Sequence, residues 1–143
     1  MLSLQELFHP TYNVPVDATK IRTLLVTGDV IPARGVNYFA TQKKDFLWPF
    51  RPTADFTKNA DITYISLESP LFAGCPVSAA SSFTFCGDAR FVNGLNLMGA
   101  DVANLANNHL TNYGAEPLTK RTKANFTLRA SSFASVLVRF SPF

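Results

Sequence analysis

The fold is decided by residues 23–29, which read TLLVTGD, a short apolar run that ends in Gly-Asp. An apolar run of this length, bounded by a turn signal, is typical of a strand that is buried on both faces. Two similar runs follow along the chain, ITYISL at 62–67 and VANL at 102–105. The three runs predict the strands of a mostly parallel sheet, because the strands of such sheets are covered on both faces.

Helix signals lie between these strands. Residues 36–44 are predicted to form a helix, and residues 55–59 a short helical turn. Asp88 is a good N-cap residue for a third helix, which ends at Gly99. This helix buries apolar residues at i, i+4 and i+7, namely Phe91, Leu95 and Met98. The alternation of strands and helices predicts the α/β class.

Other segments give weaker predictions. The aromatic residues Phe46, Trp48 and Phe50 are expected to fill the core. Residues 71–82 are small and polar and predict a loop. Residues 83–86, which follow the loop, are predicted to form a brief strand. Pro117 is expected to open a further helix.

Composition excludes several classes of protein. The chain has 143 residues and a mass of 15.7 kDa, enough for one domain. Hydrophobic residues make up 47% and charged residues 16%, which argues against intrinsic disorder. No apolar stretch approaches the roughly 18–20 residues of a membrane helix, and the first 20 residues lack the layout of a signal peptide. Transmembrane and collagen-like proteins are therefore excluded, and secretion has no support in the sequence.

The positive charge is unevenly distributed. Residues 117–143 contain five of the 13 basic residues and none of the 10 acidic ones. We therefore divide the chain into an irregular lead-in at 1–20, a domain at 21–119 and a divergent basic tail at 120–143. The tail is interpreted either as an arm that binds an anionic polymer or as the product of a frameshift or truncation.

Two cysteines are too few for a disulfide framework, and they lack the pairing of a structural zinc site. Cys75 and Cys86 are therefore predicted to be small buried or loop residues.

Polar residues follow each of the three strands. Asp29 ends the first, Glu68 follows the second, and Asn107-Asn108-His109 follow the third. Because ligands of open parallel sheets bind beyond the carboxyl ends of the strands, these residues are expected to converge. Carboxylates, an imidazole and amide oxygens suit a divalent transition metal. The alternative is structural, because Asp and Asn commonly form turns after strands.

These stretches resemble three motifs of the bacterial capsule-synthesis CapA family, which is associated with poly-γ-glutamate production. TGDVIPARG at 27–35 resembles the first motif, and DITYISLESP at 61–70 resembles the second. Residues 99–114, which include ANNH and end in NYG, resemble the third motif. All three occur in the family's order.

The resemblance implies a fold similar to the calcineurin-like metallophosphoesterases, a layered α/β sandwich of which this chain would supply the N-terminal half. It also implies that the site binds a divalent metal ion, which would be Mn, Zn or Fe. The metal ligands and the catalytic residues that it implies are different side chains. The implied metal ligands are Asp29, Glu68 and Asn108. The implied catalytic residues are His109, Asn107 and Arg34.

Two departures from the family bear on activity. Ser66 stands where the family usually has Asn, and no histidine follows His109, although the second half of the family's domain supplies further histidines. A two-metal site needs more donors than these residues provide. We therefore expect a metal that is weakly bound or absent, and little or no turnover.

The resemblance also indicates partners and location. The expected function is that of a truncated member of a family of capsule or poly-γ-glutamate biosynthesis, acting on an anionic polymer or a phosphoester. Association with membrane synthesis machinery at the outer face of the cell membrane is implied, and nucleic acid is not expected as a partner. The alternatives are a non-catalytic module that binds an anionic polymer through the basic tail, and a general metal-dependent phosphodiesterase.

Overall fold

A five-stranded sheet runs through the described part of the chain. The computed structural model describes residues 17–79, 82–114, 126–130 and 136–140. The strands are β1 (Leu24–Val30), β2 (Ile62–Leu67), β3 (Val102–Asn104), β4 (Phe126–Ala130) and β5 (Val136–Phe140). The helices are α1 (Gly35–Lys43), α2 (Arg51–Thr57) and α3 (Val92–Leu97), with 3-10 turns at Ala18–Lys20 and Ala89–Phe91.

The sheet has the strand order β1-β2-β3-β5-β4. The pairs β1–β2 and β2–β3 are parallel, as the apolar runs predicted. β5 pairs antiparallel with both β3 and β4, so the C-terminal part of the chain contributes two strands that sequence reasoning did not identify. The predicted α/β class is confirmed.

Most local predictions agree with the structure. β2 has the predicted bounds, and α1 differs from its prediction by one residue at each end. α2 begins earlier than the predicted helical turn because Pro52 occupies its first turn, where a missing backbone N–H costs nothing. The helix predicted to start at Pro117 lies outside the described residues.

The core lies between the helices and one face of the sheet. Phe91, Ile65 and Leu95 are fully buried there. The aromatic connector contributes Phe46 and Phe50, which are 7% and 6% exposed, while Trp48 is partly buried against the cluster. The prediction that this connector fills the core is confirmed.

The other face of the sheet exposes apolar side chains, so the prediction that the first strand is buried on both faces is wrong. Leu24, Val26 and Ile62 are 65%, 61% and 49% exposed, and they alternate along their strands with residues that point to the core. Of the helices among the described residues, none is long and apolar enough to cross a membrane.

The segment before α3 lacks the predicted strand and contains a disulfide that was not predicted. Residues 83–86 form no strand; the segment makes only an isolated bridge between Leu71 and Gly87. Cys75 and Cys86 are buried, as predicted, but they are joined in a disulfide. The loop is closed by the Leu71–Gly87 bridge and by the disulfide, whose cysteine Cα atoms lie 5.9 Å apart.

Asp88 caps the turn that leads into α3, as its position predicted. Its carboxylate accepts a hydrogen bond from the backbone N–H of Arg90 at 2.9 Å and pairs with the Arg90 guanidinium at 2.8 Å. These bonds, chiefly those from the guanidinium, hold the pKa of Asp88 below its ordinary value of 3.8. Because the pKa is lower in the folded state, the carboxylate contributes stability above its ordinary pKa and loses it as pH falls through the lowered value.

Replacing Asp88 with alanine is therefore expected to cost about 0.5–2 kcal/mol of unfolding free energy near neutral pH. The cost should shrink as the solution is acidified below the ordinary pKa of the carboxyl. Urea unfolding of the two chains at about pH 7 and about pH 3 measures both quantities. An equal difference at the two pH values would contradict the capping role.

Candidate functional site

Two of the predicted strand ends meet at the edge of the sheet. Glu68 directly follows β2, and His109 lies in the loop that follows β3. The Nε2 atom of His109 is 3.9 Å from the Oε2 atom of Glu68, and each side chain is 15% exposed. They come together because β2 and β3 are parallel neighbours whose carboxyl ends lie at the same edge.

The His109 ring is held through its other nitrogen. Nδ1 lies 2.9 Å from Oδ1 of Asn112, and the same oxygen accepts a hydrogen bond from the backbone N–H of Phe85 at 2.8 Å. Since a backbone N–H only donates, the Asn112 atom at this position is the oxygen, and Nδ1 must carry the proton. In the neutral ring, Nε2 is then the unprotonated nitrogen, and it lies 3.9 Å from Oε2 of Glu68 and 3.4 Å from Nδ2 of Asn108.

Asn107 fixes the loop that carries His109. Its Nδ2 donates to the carbonyl oxygen of Leu67 at 2.8 Å, and its Oδ1 accepts from the backbone N–H of His109 at 2.9 Å. The side chain thus ties the end of β2 to the loop after β3. The contacts shown for Asn107 are those of a positioning residue, and its predicted catalytic role remains a prediction from the resemblance.

Asn108 lies beside the pair and is exposed. Its Nδ2 is 3.4 Å from Nε2 of His109. Rotation of the amide by half a turn exchanges its nitrogen and oxygen, so the same position can present an acceptor to a cation. Asn108 can therefore join Glu68 and His109 in one donor set.

Asp29 lies one strand away from this pair. A β-bulge between Val26 and Asp29 inserts one residue into β1, so that Asp29 rather than Gly28 is the register partner of Ser66. Asp29 also lines a largely apolar cavity of about 240 Å³ between the end of β1 and the helices. Glu68, Asn108 and His109 do not line this cavity.

Arg34 approaches the site from the N-terminus of α1. Its guanidinium carbon is 5.6 Å from the centroid of the Phe85 ring, and that ring stacks on His109 with centroids 4.0 Å apart. The backbone of Arg34 has a φ of 53°, a left-handed conformation that non-glycine residues rarely adopt. A half-buried cation therefore contacts the ring that stacks on His109.

The donors fit one divalent ion. The Glu68 carboxylate and the His109 lone pair are both acceptors that face each other, which is unfavourable unless a cation or proton lies between them. Transition metals bind carboxylate oxygen and imidazole nitrogen at about 2.0–2.2 Å, so both atoms are within reach of a single ion. Among the residues that the structure describes, however, no three His, Cys, Asp or Glu side chains come together to hold a metal. The fit is to one ion with few ligands.

Sequence reasoning missed two residues of the site. Asn112 follows His109 by three positions in a turn, a spacing that gives a signal only once the imidazole is known to need an acceptor. Phe85 gave no signal, because its contact with His109 depends on how the loop closed by the Cys75–Cys86 disulfide lies on the site.

Comparison with known proteins identifies the family. Residues 23–132 match the model of a family described as bacterial capsule synthesis protein PGA_cap. The chain belongs to this capsule synthesis family. The match includes Glu68, Asn108 and His109, so the paired strand ends lie within the capsule synthesis family region of the chain. Neither the curated proteins nor the solved structures gave a match.

Proposed function

We propose that this capsule synthesis family chain binds a divalent transition metal between Glu68 and His109, in a site that serves the synthesis of an anionic capsule polymer such as poly-γ-glutamate. The observation that supports the proposal is the 3.9 Å approach of Nε2 to the Glu68 carboxylate. Asn112 fixes the proton on the opposite ring nitrogen, which leaves Nε2 as a donor to a metal.

Each residue has a distinct role in this proposal. Glu68 supplies the anionic ligand, His109 the imidazole ligand, and Asn108 an amide oxygen. Asn107 and Asn112 hold the loop and the ring through the hydrogen bonds described above. When bound, a divalent metal supplies Lewis acidity and lowers the pKa of a water molecule at its open position. Mn, Zn and Fe suit this mixed oxygen and nitrogen set.

Arg34 indicates the charge of the substrate. A guanidinium close to the site favours a phosphoester or a polyanionic chain, because its planar donors bind phosphate and carboxylate groups in pairs. Its guanidinium carbon lies 5.6 Å from the centroid of the Phe85 ring, and that ring stacks on His109. We therefore propose that Arg34 binds the anionic substrate.

Few ligands imply weak binding. Three donors, of which only one is charged, hold a metal less tightly than sites with more anionic ligands. We expect metal affinity in the weak range and slow turnover of a generic aryl phosphodiester with manganese. Asp29 stays a predicted ligand on the basis of the resemblance, and the experiment below separates its contribution from that of His109.

Thermal unfolding with and without Mn²⁺ tests the proposal. A ligand that binds the folded chain at about ten times its Kd stabilises it by about 1.4 kcal/mol, which raises the Tm. His109→Ala is expected to remove this increase, while Asp55→Asn, an exposed acid on α2, should retain it. Asp29→Asn reports whether a second acid contributes to metal binding. An unchanged increase in His109→Ala would show that the metal binds elsewhere.

A further inference from the structure

Phe85 contacts two of the predicted site residues at once. Its ring lies 4.0 Å from the His109 ring, centroid to centroid, with an angle of 24° between the planes. The guanidinium carbon of Arg34 is 5.6 Å from the same centroid. Phe85 is 8% exposed, so the ring occupies a fixed place between the loop and the site.

The backbone of Phe85 reinforces this contact. Its N–H donates to Oδ1 of Asn112 at 2.8 Å, the same oxygen that lies 2.9 Å from Nδ1 of His109. Phe85 therefore restrains the imidazole in two ways, through its ring face and through a shared acceptor.

The segment that carries Phe85 is fixed on both sides. Cys86, the next residue, is buried and bonded to Cys75. The buried amide of Asn37 donates to the Pro76 carbonyl at 3.5 Å and accepts from the backbone N–H of Asp88 at 3.1 Å. The disulfide and Asn37 thus tie the ends of the loop to each other and to α1.

The far side of the segment is equally restricted. Gly87 bridges to Leu71 and exchanges backbone hydrogen bonds of 3.0 Å with Pro70 and Phe72. A Cβ atom at Gly87 would overlap the carbonyl oxygen of Pro32. The chain directly after Phe85 is therefore held at Gly87 as well as by the disulfide at Cys86.

We propose that Phe85 is a positioning residue for His109 and that the Cys75–Cys86 disulfide holds Phe85 in place, so that reduction of this bond weakens metal binding at the Glu68–His109 pair. The inference rests on the proposed metal site. It adds a redox control that the site residues alone do not show. Disulfides persist in oxidising compartments, so the tight form of the site belongs to such a compartment.

The reduction is an ordinary thiol–disulfide exchange. A thiolate of a small dithiol attacks one cysteine sulfur and forms a mixed disulfide, and the second thiol of the reagent then displaces the protein. The S–S bond of the protein breaks, two electrons and two protons pass to Cys75 and Cys86, and the dithiol becomes a cyclic disulfide. The loop ends are then held only by the Leu71–Gly87 bridge and by Asn37.

The test uses the full chain and four variants. Phe85→Leu removes the ring face and keeps much of the volume, whereas Phe85→Tyr keeps the ring. A Cys75→Ser/Cys86→Ser double variant opens the loop without a reductant, and His109→Ala removes the imidazole. The first readout is the Kd for Mn²⁺, and the second is the protonation pattern of the His109 ring nitrogens from ¹⁵N chemical shifts without metal.

Groups that orient a metal ligand contribute about 10- to 100-fold to metal affinity. We expect Phe85→Leu and the double variant to raise the Kd by that factor and to replace the single Nδ1–H tautomer by a mixture. Phe85→Tyr should have nearly the same Kd for Mn²⁺ and the same His109 tautomer as the unaltered chain. Treatment with dithiothreitol, followed by its removal, should weaken Mn²⁺ binding by the unaltered chain to the level of the double variant. The same treatment should leave Mn²⁺ binding by the double variant unchanged.

The outcomes separate this inference from the proposed function. Tight Mn²⁺ binding that depends on His109 but is unchanged in Phe85→Leu, with a single tautomer in both chains, would overturn the positioning role. Full affinity after reduction would overturn the role of the disulfide. If the unaltered chain binds Mn²⁺ no better than His109→Ala, the metal proposal fails, and the tautomer measurement still decides whether Phe85 positions the ring.

Discussion

Replacing Phe91 with alanine is expected to destabilise the chain by about 3–5 kcal/mol, which is a large part of the roughly 5–15 kcal/mol that stabilises a typical domain. The ring is fully buried and lies edge-on to Phe46 at 5.0 Å and to Phe50 at 6.2 Å, centroid to centroid. Its removal leaves a cavity where the connector, α3 and the sheet meet. Edge-to-face pairs add about 0.5–1.5 kcal/mol each beyond the buried area.

Urea unfolding measures the loss, and Phe56→Ala is the matched control. Phe56 is 76% exposed, and its removal should change the unfolding free energy by no more than about 0.5 kcal/mol. Leucine at position 91 fills part of the cavity, so the loss of unfolding free energy in Phe91→Leu should lie between the losses in Phe91→Ala and Phe56→Ala. A loss of less than about 1 kcal/mol in Phe91→Ala would show that this core is not assembled around Phe91.

Replacing Gly94 with alanine is expected to destabilise the chain although it places a better helix former in α3. Propensity alone favours alanine by about 1 kcal/mol. A Cβ atom at Gly94, however, would overlap Cδ2 and Cε2 of Phe50 and lie 3.0 Å from its Cγ. Because Phe50 is 6% exposed and packed in the core, it cannot move aside, and such overpacking costs about 1–3 kcal/mol or more.

Gly35→Ala provides the matched control for this prediction. Gly35 begins α1, and a Cβ atom there meets nothing within 4 Å, so alanine should be neutral or stabilising. Combining Gly94→Ala with Phe50→Leu should recover part of the loss, since the two substitutions share one contact. Strictly additive effects, or a gain in Gly94→Ala alone, would contradict the clash.

The sequence predicted those elements whose signal is local. β2 and α1 follow from the apolar run and the helical pattern within each segment, and Asp88 caps the turn because its side chain reaches the next backbone N–H groups. The disulfide and the bridge at Gly87 depend on contacts between distant segments. Periodicity carries no information about such contacts, so the predicted strand at 83–86 was wrong.

The site was predicted in part for the same reason. Parallel strands bring their carboxyl ends to one edge, and this rule placed Glu68 and His109 together. The rule does not reveal the bulge that sets the register of Asp29, because the composition of β1 does not show that one of its residues is extra. Nor does it reveal Phe85 or Asn112, whose side chains contact His109 and not the Glu68 carboxylate.

Binding of Mn²⁺ to the full chain tests the central claim most directly. The electron paramagnetic resonance signal of free Mn²⁺ disappears when the ion binds, so a titration gives both the number of ions and the Kd. We expect one ion per chain, with binding lost in Glu68→Gln and in His109→Ala and retained in Asp55→Asn. Equal binding in all four chains would contradict a metal site between Glu68 and His109.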